Sequence, residues 1–381
     1  VSRFRSNLTI IFAVALFCIL GIAASRSEMA SGGAFAASAR SGSSDTTKPL
    51  SPRPTINGQR GSQQLAPLAD RSTIVFGSGS DTVALLSITN VGTQNDVTLL
   101  TYTHERDPVF SPDGNKVAFF SYRDGEGGSG IHQIYSMNPN GMDQTRLTNM
   151  AGYKESMIYS PDSSKIAFIN DADLWSMNAD GSGAATILDK DNTISDPQYS
   201  PDGNTIIFIY DNHLWRVDPD GLNASQIVSQ NYIYHARFSP DGTKIIYSSS
   251  DSDIYTMNAN GTGEQMIIDH VEVSYSLQDP KYSPDGTKIL MQCSNGEANI
   301  CTADSDGQNF AALGGSVLDR ANPAWSPDSS EIAFIARDSA DNTSGVYVAT
   351  IGGQPARIYG EGPGSQLNYL VWQPECPGTV P

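Results

Sequence analysis

Seven residues recur at one position of a repeated sequence and form the first candidate site in this chain. They are Asp107, Ser156, Asp196, His235, Asp279, Asn322 and Tyr369. Carboxylate and amide oxygens are ligands that a hard cation such as calcium prefers, and they also hold cationic groups of organic ligands. If these residues meet around one opening, we expect an oxygen-rich funnel for such a cation. In the competing interpretation, Asp or Asn before Pro caps its own backbone in a loop.

The repeat that carries these residues sets their spacing. Clear copies read DPVFSPDGNKVAFF from Asp107 and DPQYSPDGNTIIFI from Asp196, and the serine of each S-P-D falls at 111, 160, 200, 239, 283 and 326. The spacings of 49, 40, 39, 44 and 43 residues are typical of four-stranded propeller blades. Ser, Pro and Gly suit the first, second and fourth positions of the turn from strand A to strand B. Ser163 and Ser329 replace that Gly, which should cost roughly 1 kcal/mol or shift the turn type.

The two ends of the repeat region complement each other. Segments 73–78, 83–88 and 97–101 resemble strands B, C and D without an A strand, and Asn368 to Pro374 resembles an A strand with nothing after it. We therefore predict an all-β, seven-bladed propeller of four-stranded blades, closed by the C-terminal strand pairing into the first blade. Strand A is innermost in this class, so the seven candidate residues, just before the A strands, should surround one mouth of the channel.

Two long connections from strand B to strand C should lie on the same face as that mouth. They are Ser121 to Gln133 and Arg337 to Gly345. Insertions on one face of a propeller often build its binding surface. Their Gly, Ser and Asp content fits exposed hairpin tips equally well.

Composition limits the partners. The 23 Lys and Arg against 41 Asp and Glu give a net charge of −18, which disfavours nucleic acid, anionic membranes and polyanionic polysaccharides as partners. Residues 1–24 resemble a signal peptide or a membrane anchor, and residues 25–67 a disordered tether rich in Ser, Gly, Ala and Pro. We expect a monomeric extracytoplasmic propeller over residues 68–376 with a short tail at 377–381, and the sequence leaves open whether the leader is cleaved or retained as a membrane tether.

Export changes how two cysteines are interpreted. Cys293 ends a B strand and Cys301 lies in the paired C strand, about equally far from the turn between them. The sequence leaves two alternatives open, a disulfide across the hairpin or two buried thiols.

The repeats from Asp107 to Thr148 and their sister copies resemble the WD-like propeller repeats of the TolB family. Similar repeats occur in the propellers of prolyl oligopeptidase relatives and of oligogalacturonate lyase. The TolB resemblance implies a non-catalytic module that binds a protein or peptide at the channel mouth, although a tether stands here where TolB has a small α/β domain. The resemblance therefore does not carry over the lipoprotein partner of that family.

The lyase resemblance implies a second hypothesis, a metal-dependent polysaccharide lyase or hydrolase at the same mouth. Such a site needs clustered His ligands. His104 and His235, both near the start of an A strand, are the pair that could approach one face. No catalytic residue is assigned from the sequence, and a structural envelope protein without a discrete ligand is a third hypothesis.

Overall fold

The computed structural model describes residues 73–78, 82–87, 97–99, 105–123, 132–228, 232–315, 317–338, 340, 342–360 and 367–374. All of them belong to the second of two units, which begins at Thr55. The proposed leader, tether and tail lie outside the described residues, so their limits remain predictions. Within the described part of the chain, no helix is both long and apolar enough to cross a bilayer. A single short helix appears there, α1 (His270–Val273).

The described strands fall into four classes, A to D, by their place in a sheet. The A strands are β28 (Asn368–Trp372), β4 (Glu105–Phe110), β8 (Lys154–Tyr159), β12 (Ile194–Tyr199), β16 (Ile233–Phe238), β20 (Ser276–Tyr282) and β24 (Val317–Trp325). The B strands are β1 (Thr73–Ser78), β5 (Val117–Ser121), β9 (Lys165–Asn170), β13 (Ile206–Tyr210), β17 (Lys244–Ser249), β21 (Lys288–Ser294) and β25 (Glu331–Asp338). The C strands are β2 (Thr82–Ser87), β6 (Gln133–Met137), β10 (Asp173–Asn178), β14 (His213–Val217), β18 (Ile254–Asn258), β22 (Ala298–Asp304) and β26 (Ser344–Thr350). The D strands are β3 (Val97–Leu99), β7 (Thr145–Arg146), β11 (Ala185–Leu188), β15 (Ser225–Val228), β19 (Gln265–Ile268), β23 (Ala311–Ala312) and β27 (Ala356–Gly360).

These strands pair into seven four-stranded antiparallel sheets within the described residues. Six sheets consist of four consecutive strands in the order A, B, C, D. In the remaining sheet, β28 pairs with β1, and the order is β28, β1, β2, β3. The predicted all-β class with four-stranded blades is therefore confirmed. We refer to the sheets as blades 1 to 7, starting from the sheet that contains β1.

The hydrophobic core lies between the sheets. Each of six buried clusters combines side chains of successive blades, and one of them joins Ile74 of β1 to Ile335 of β25. The aromatic residue that precedes each S-P-D lies in these clusters, as Phe110 and Trp325 do. That column of aromatics packs blade against blade, because Phe, Tyr and Trp bury large apolar areas in such layers.

The turns from strand A to strand B keep one geometry whether the fourth residue is Gly or Ser. Gly114 and Gly203 have φ values of 70° and 73°, and Ser163 and Ser329 have 61° and 63°. Ser163 N–H donates to Ser160 O at 2.9 Å, as Gly203 does to the Ser200 oxygen at 2.8 Å. The serines therefore leave the turn type unchanged and accept left-handed backbone angles, which cost roughly 1 kcal/mol in a residue with a Cβ.

A disulfide joins Cys293 of β21 to Cys301 of β22, with 5.8 Å between the Cα atoms. The strand register pairs Cys301 with Met291 and Cys293 with Asn299. The two cysteines are therefore diagonal neighbours rather than direct partners, and their Cα separation lies in the range that a disulfide spans.

Candidate binding site at the mouth face

The candidate residues share one end of the blades, which we call the mouth face. It is formed by the starts of the A strands, the connections from B to C and the connections from D to A. The prediction placed the candidates just before the A strands, and this was wrong, because each lies inside its strand. Six of the seven have left-handed backbone angles near φ 50°: Asp107, Ser156, Asp196, Asp279, Asn322 and Tyr369.

A β-bulge explains those angles. In blade 2, Arg106 pairs with Phe120 and Val109 pairs with Ala118, so strand A advances three residues while strand B advances two. The extra residue bends the strand and turns its side chain out of the normal alternation. Asp and Asn tolerate a positive φ better than most residues, which gives the recurring Asp a conformational reason as well as a chemical one. His235 lies beside a shifted register without a positive φ.

Two cations and two carboxylates connect blades 4, 5 and 6 at the mouth face. Asp196 Oδ2 lies 2.5 Å from Arg237 Nη1, and Arg237 Nη2 lies 3.2 Å from Asp279 Oδ1. Lys281 Nζ lies 2.9 Å from Asp279 Oδ2 and donates to the Pro323 oxygen of blade 7 at 3.4 Å. We call these residues the ion-pair ladder. The carboxylates bind across blade boundaries instead of capping their own loops.

The ladder determines the charge state of its carboxyl groups. Burial by itself would raise the pKa of Asp196, but Arg237 and His235 outweigh it and hold that pKa below its usual value. Burial acts in the same direction on Asp279, and Lys281 and Arg237 again bring its pKa well below the usual range. Both groups are therefore anions already balanced by protein cations. A calcium ion would have to displace those partners, and its binding here remains an untested prediction.

Asp107 differs from the two ladder carboxylates. Burial raises its pKa, and Arg106 together with a hydrogen bond from Tyr369 only partly offsets that rise. Arg106 Nε lies 3.8 Å from Asp107 Oδ2, too far for a hydrogen bond. Asp107 Oδ1 is buried and has no hydrogen-bond partner among the described residues. Asp107 is thus the least compensated of the three mouth carboxylates.

An aromatic cluster surrounds Arg106 beside Asp107. Its guanidinium carbon lies 5.8 Å from the ring centre of Phe120, 5.9 Å from Tyr122 and 5.3 Å from Tyr153. Arg106 Nη2 also donates to the Tyr153 hydroxyl at 2.7 Å. These cation–π contacts hold Arg106 against the rings of blades 2 and 3, where its guanidinium still forms an ion pair with Asp107 without a hydrogen bond.

Exposed tyrosines concentrate on the mouth face. Tyr153 and Tyr369 are 44% and 42% exposed, and Tyr232 and Tyr234 near the start of β16 are 55% and 51% exposed. The large apolar residues exposed in turns at the opposite end are aliphatic, namely Met142, Leu222 and Ile351. Tyrosine combines a large apolar ring with a hydroxyl. It therefore suits a position that is buried when a partner binds and exposed to water when the partner leaves.

A second column of equivalent repeat positions, not predicted from the sequence, lies two residues before the seven candidate residues. It contains Ile194, Ile233, Leu277 and Leu367 in four blades, but Glu105, Lys154 and Arg320 in the others. All seven side chains are buried. The signal was present in the repeat alignment as charged residues at a position that is otherwise apolar.

Each charged side chain of this column is stabilised by different polar contacts in its buried position. Glu105 pairs with Arg123 and accepts from Ser121 Oγ at 3.2 Å. Lys154 Nζ donates to the oxygens of Met150 and Gly152 at 3.0 and 3.1 Å, and burial lowers its pKa to about 8.

Arg320 is held by neutral oxygens. It donates to Asn299 Oδ1 at 2.7 Å, to the Gly314 and Gly315 oxygens at 3.0 Å each, and to the Leu313 oxygen. Burial lowers its pKa. These contacts fix the connection from β23 to β24 at the mouth face.

The metal hypothesis has one further group to consider. Asp253, Asp269 and His270 place potential ligand atoms within 4.8 Å of one another, and this group lies at the mouth face of blade 5. Asp253 Oδ1, however, already accepts from His270 Nδ1 at 2.7 Å and from His270 N at 2.9 Å, and Asp269 caps α1. All three side chains therefore already form hydrogen bonds within the protein.

Other predicted site segments are described only in part. His104 and most of the loop from Ser121 to Gln133 lie outside the described residues, as do two positions of the loop from Arg337 to Gly345. The expected approach of His104 and His235 therefore stays a prediction.

Comparison with known proteins agrees with this architecture. Residues 66–250 match the family described as TolB beta propeller domain. The repeats of this chain are TolB-like propeller repeats. That match shows the type of repeat and does not show what the protein does.

Solved structures of several activities share the fold. An oligogalacturonate lyase from Vibrio parahaemolyticus is 16% identical with a TM-score of 0.57, over 77% of this chain and 86% of the lyase. TolB from Acinetobacter baumannii is 14% identical with a TM-score of 0.51, over 78% of this chain and 81% of TolB. A mutant puromycin hydrolase is 14% identical with a TM-score of 0.57 over 78% of this chain, which spans about half (53%) of that enzyme. At these identities the likeness shows the fold alone, since one propeller fold carries many functions.

Proposed function

We propose that this protein is a non-catalytic, extracytoplasmic interaction module that binds a protein or peptide partner on its mouth face. In this proposal the seven sheets form one closed ring, with β28 as the closing strand. Pairing of β28 with β1 and the mixed cluster of Ile74 and Ile335 support closure. The leader composition supports export, and a membrane tether through residues 1–24 is part of the same proposal.

One observation carries the binding proposal, the concentration of exposed tyrosines at the mouth. Tyr153, Tyr232, Tyr234 and Tyr369 come from blades 1, 3 and 5 and lie on one face. Tyrosine is enriched in protein interfaces, and exposed apolar side chains that share one face favour a binding role over a purely structural one. The described part of the opposite face consists of tight turns whose polar groups bond within the turn or to the next turn, as Ser111 Oγ does to Asp113 Oδ1 at 2.5 Å and Asp113 N–H does to Ser163 Oγ at 3.1 Å.

Metal-dependent lyase or hydrolase chemistry is the alternative, because enzymes of both kinds share the fold. It is less well supported by the mouth geometry. Asp196 and Asp279 are engaged by Arg237 and Lys281, so a metal would have to break those pairs before it could bind there. A site of this kind would also need ligands that are free to turn toward the ion.

A capture experiment with matched variants tests the proposal. The full chain is immobilised and exposed to envelope and secreted-protein extracts, alongside a Tyr153→Ala/Tyr369→Ala variant and a Met142→Ala/Leu222→Ala variant of the opposite face. We expect a stoichiometric partner that is lost with the tyrosine variant and retained with the control. Thermal unfolding of all three forms excludes misfolding as the cause.

Two results would overturn the proposal. A partner that both variants retain equally would place binding away from the mouth face. Turnover of a saccharide that depends on an added divalent metal, without any stoichiometric partner, would favour the enzyme.

A further inference from the structure

An aromatic side chain recurs at one position of the C strands and pairs across the sheet with an aromatic residue of strand B. In blades 2 to 5 and 7 it is Tyr135, Trp175, Trp215, Tyr255 and Tyr347. The Arg123 guanidinium carbon lies 4.6 Å from the Tyr135 ring centre, and Lys190 Nζ lies 4.8 Å from a ring of Trp215 in the same way. The face of an aromatic ring attracts a cation. The chain itself therefore supplies a cation to two of these rings.

Tyr255 of blade 5 has the ring but no such cation. In the described part of the chain, no Lys or Arg lies over this ring. Its partner in strand D is Met266, whereas the D strands of blades 2 and 7 place an arginine there, Arg146 and Arg357. Residues 245–280 include six Asp and Glu and neither Lys nor Arg. Blade 5 thus lacks a cation where its sister blades provide one.

Carboxylates surround Tyr255 instead. Tyr247 stacks on Tyr255 with 5.3 Å between the ring centres and 7° between the ring planes, and the Tyr247 hydroxyl donates to Glu264 Oε1. Burial raises the pKa of Tyr255, and four nearby carboxylates raise it further. They are those of Asp253, Glu264, Asp251 and Asp269. The surroundings of this ring therefore favour positive charge.

This part of blade 5 is open to solvent. Glu264 and Asp251 are exposed, and Met266 is 42% exposed beside the partly exposed Tyr255. The flexible thioether of a methionine adapts to the shape of a partner. A guanidinium suits such a surface, because its plane stacks on a ring while its edge donates to carboxylates.

We propose that Tyr255, Glu264 and Met266 form a binding site for an arginine side chain of a partner protein, on the outer strands of blade 5. The partner supplies the cation that Arg123 and Lys190 supply within blades 2 and 4. The site lies beside the mouth face and contains none of the four tyrosines that carry the proposed function. It therefore goes beyond that function, and either can fail alone.

Two small probes test the site on the full chain. They are a capped glycine–arginine–glycine tripeptide and its citrulline counterpart, which has the same shape without the charge. Binding is followed by the ring signals of isotope-labelled tyrosines. We expect the arginine probe to bind at least about fivefold more tightly than the citrulline probe, with an affinity that falls as salt is added.

A pair of variants at Met266 locates the effect without removing the ring or the carboxylates. Met266→Arg places a cation of the chain itself beside Tyr255, as blades 2 and 7 do, and should abolish binding of the arginine probe. Met266→Gln is the matched control, because blade 4 has Gln226 at this position, and it should bind the probe as wild type does.

A second pair tests the charge. Glu264→Gln keeps an acceptor for the Tyr247 hydroxyl and should weaken the arginine probe about threefold. Glu297→Gln, at an exposed position in the hairpin of blade 6, should leave binding unchanged.

Three results would overturn the site. They are equal binding of the two probes, equal binding to Met266→Arg and Met266→Gln, and stoichiometric displacement of the arginine probe by zinc, which would make Asp253, Asp269 and His270 a metal site. None of them bears on capture through the mouth face. That capture is tested by Tyr153→Ala/Tyr369→Ala, which should leave binding of the arginine probe unchanged.

Discussion

The backbone N–H of Asp113 donates to Ser163 Oγ, 3.1 Å away, across the boundary between blades 2 and 3. The same contact recurs between blades 6 and 7, where Asp285 N–H donates to Ser329 Oγ at 3.1 Å. Both serines occupy the turn position that is Gly in other blades. Their hydroxyl groups connect neighbouring turns, which offsets the cost of a left-handed angle in a residue with a Cβ.

This hydrogen bond predicts how the free energies of unfolding of wild type, Ser163→Ala and Ser163→Gly compare. Ser163→Ala keeps the strained backbone and loses the hydrogen bond, so it should lower the free energy of unfolding by about 1 kcal/mol. Ser163→Gly loses the bond but relieves the strain, and should lie within about 0.5 kcal/mol of wild type. Urea unfolding measures both changes. An alanine variant as stable as wild type would show that the hydrogen bond contributes nothing.

Arg320 should be far less tolerant of substitution than its neutral neighbours in the same column. Arg320→Met leaves the buried Leu313 oxygen without its donor, which costs about 1–3 kcal/mol, and it also removes the donor of the more exposed Gly314 and Gly315 oxygens. We expect a loss of about 2–4 kcal/mol in the free energy of unfolding. Arg320→Lys should recover little, because one ammonium group cannot reproduce the planar fork of donors.

Leu277→Met is the matched control for Arg320. It changes shape at the same column position without breaking a polar contact, and should cost less than about 1.5 kcal/mol. Hydrogen exchange at the connection from β23 to β24 should rise in Arg320→Met alone. Similar losses in both variants would contradict a special role for the guanidinium.

The Cys293–Cys301 disulfide closes a short loop, so its contribution should be modest. The Cys293→Ala/Cys301→Ala variant is expected to lose about 2–3 kcal/mol of unfolding free energy by the loop-entropy relation. The measurement is urea unfolding under non-reducing conditions, with wild type in reductant as the parallel sample. If reductant changes wild type and the double variant equally, the disulfide is not the source of the difference.

The blade architecture was predictable because its causes are local and repeated. The S-P-D turn fixes the hairpin from strand A to strand B in six blades, and short continuous apolar runs place β5 and β9 between neighbouring layers. Repetition makes a small local preference visible several times over. That is why the strand classes, and the pairing of β28 with β1, followed from the sequence.

The mouth was harder to predict because its contacts join residues about 40 positions apart. The Asp196–Arg237 pair crosses a blade boundary, and nothing near Asp196 in the sequence indicates it. A bulge also turns Asp107 out of the normal alternation, so its position inside the strand was missed. Basic residues two positions after the mouth residue, Arg237 and Lys281, were the available signal for the ladder.

Glu105 should give the stability of the fold a specific dependence on pH. Burial raises its pKa, and Arg123 and Ser121 offset that rise only in part, so the pKa lies at about 7. In the unfolded chain a Glu titrates at about 4.3, so between that pH and about 7 the folded state holds more protons than the unfolded state. The free energy of unfolding therefore falls as pH rises through this window and levels off above it.

Glu105→Gln isolates the pH dependence that Glu105 gives to the free energy of unfolding, because the amide cannot ionise. At 1.36 kcal/mol per pKa unit, the stability of the variant relative to wild type should increase by up to about 3 kcal/mol between pH 4.5 and pH 7.5. Urea unfolding at closely spaced pH values measures the difference. Glu272→Gln, at an exposed position in α1, is the control and should follow wild type at every pH. Parallel curves for Glu105→Gln and wild type would mean that Glu105 is ionised throughout this range, with Arg123 compensating its burial in full.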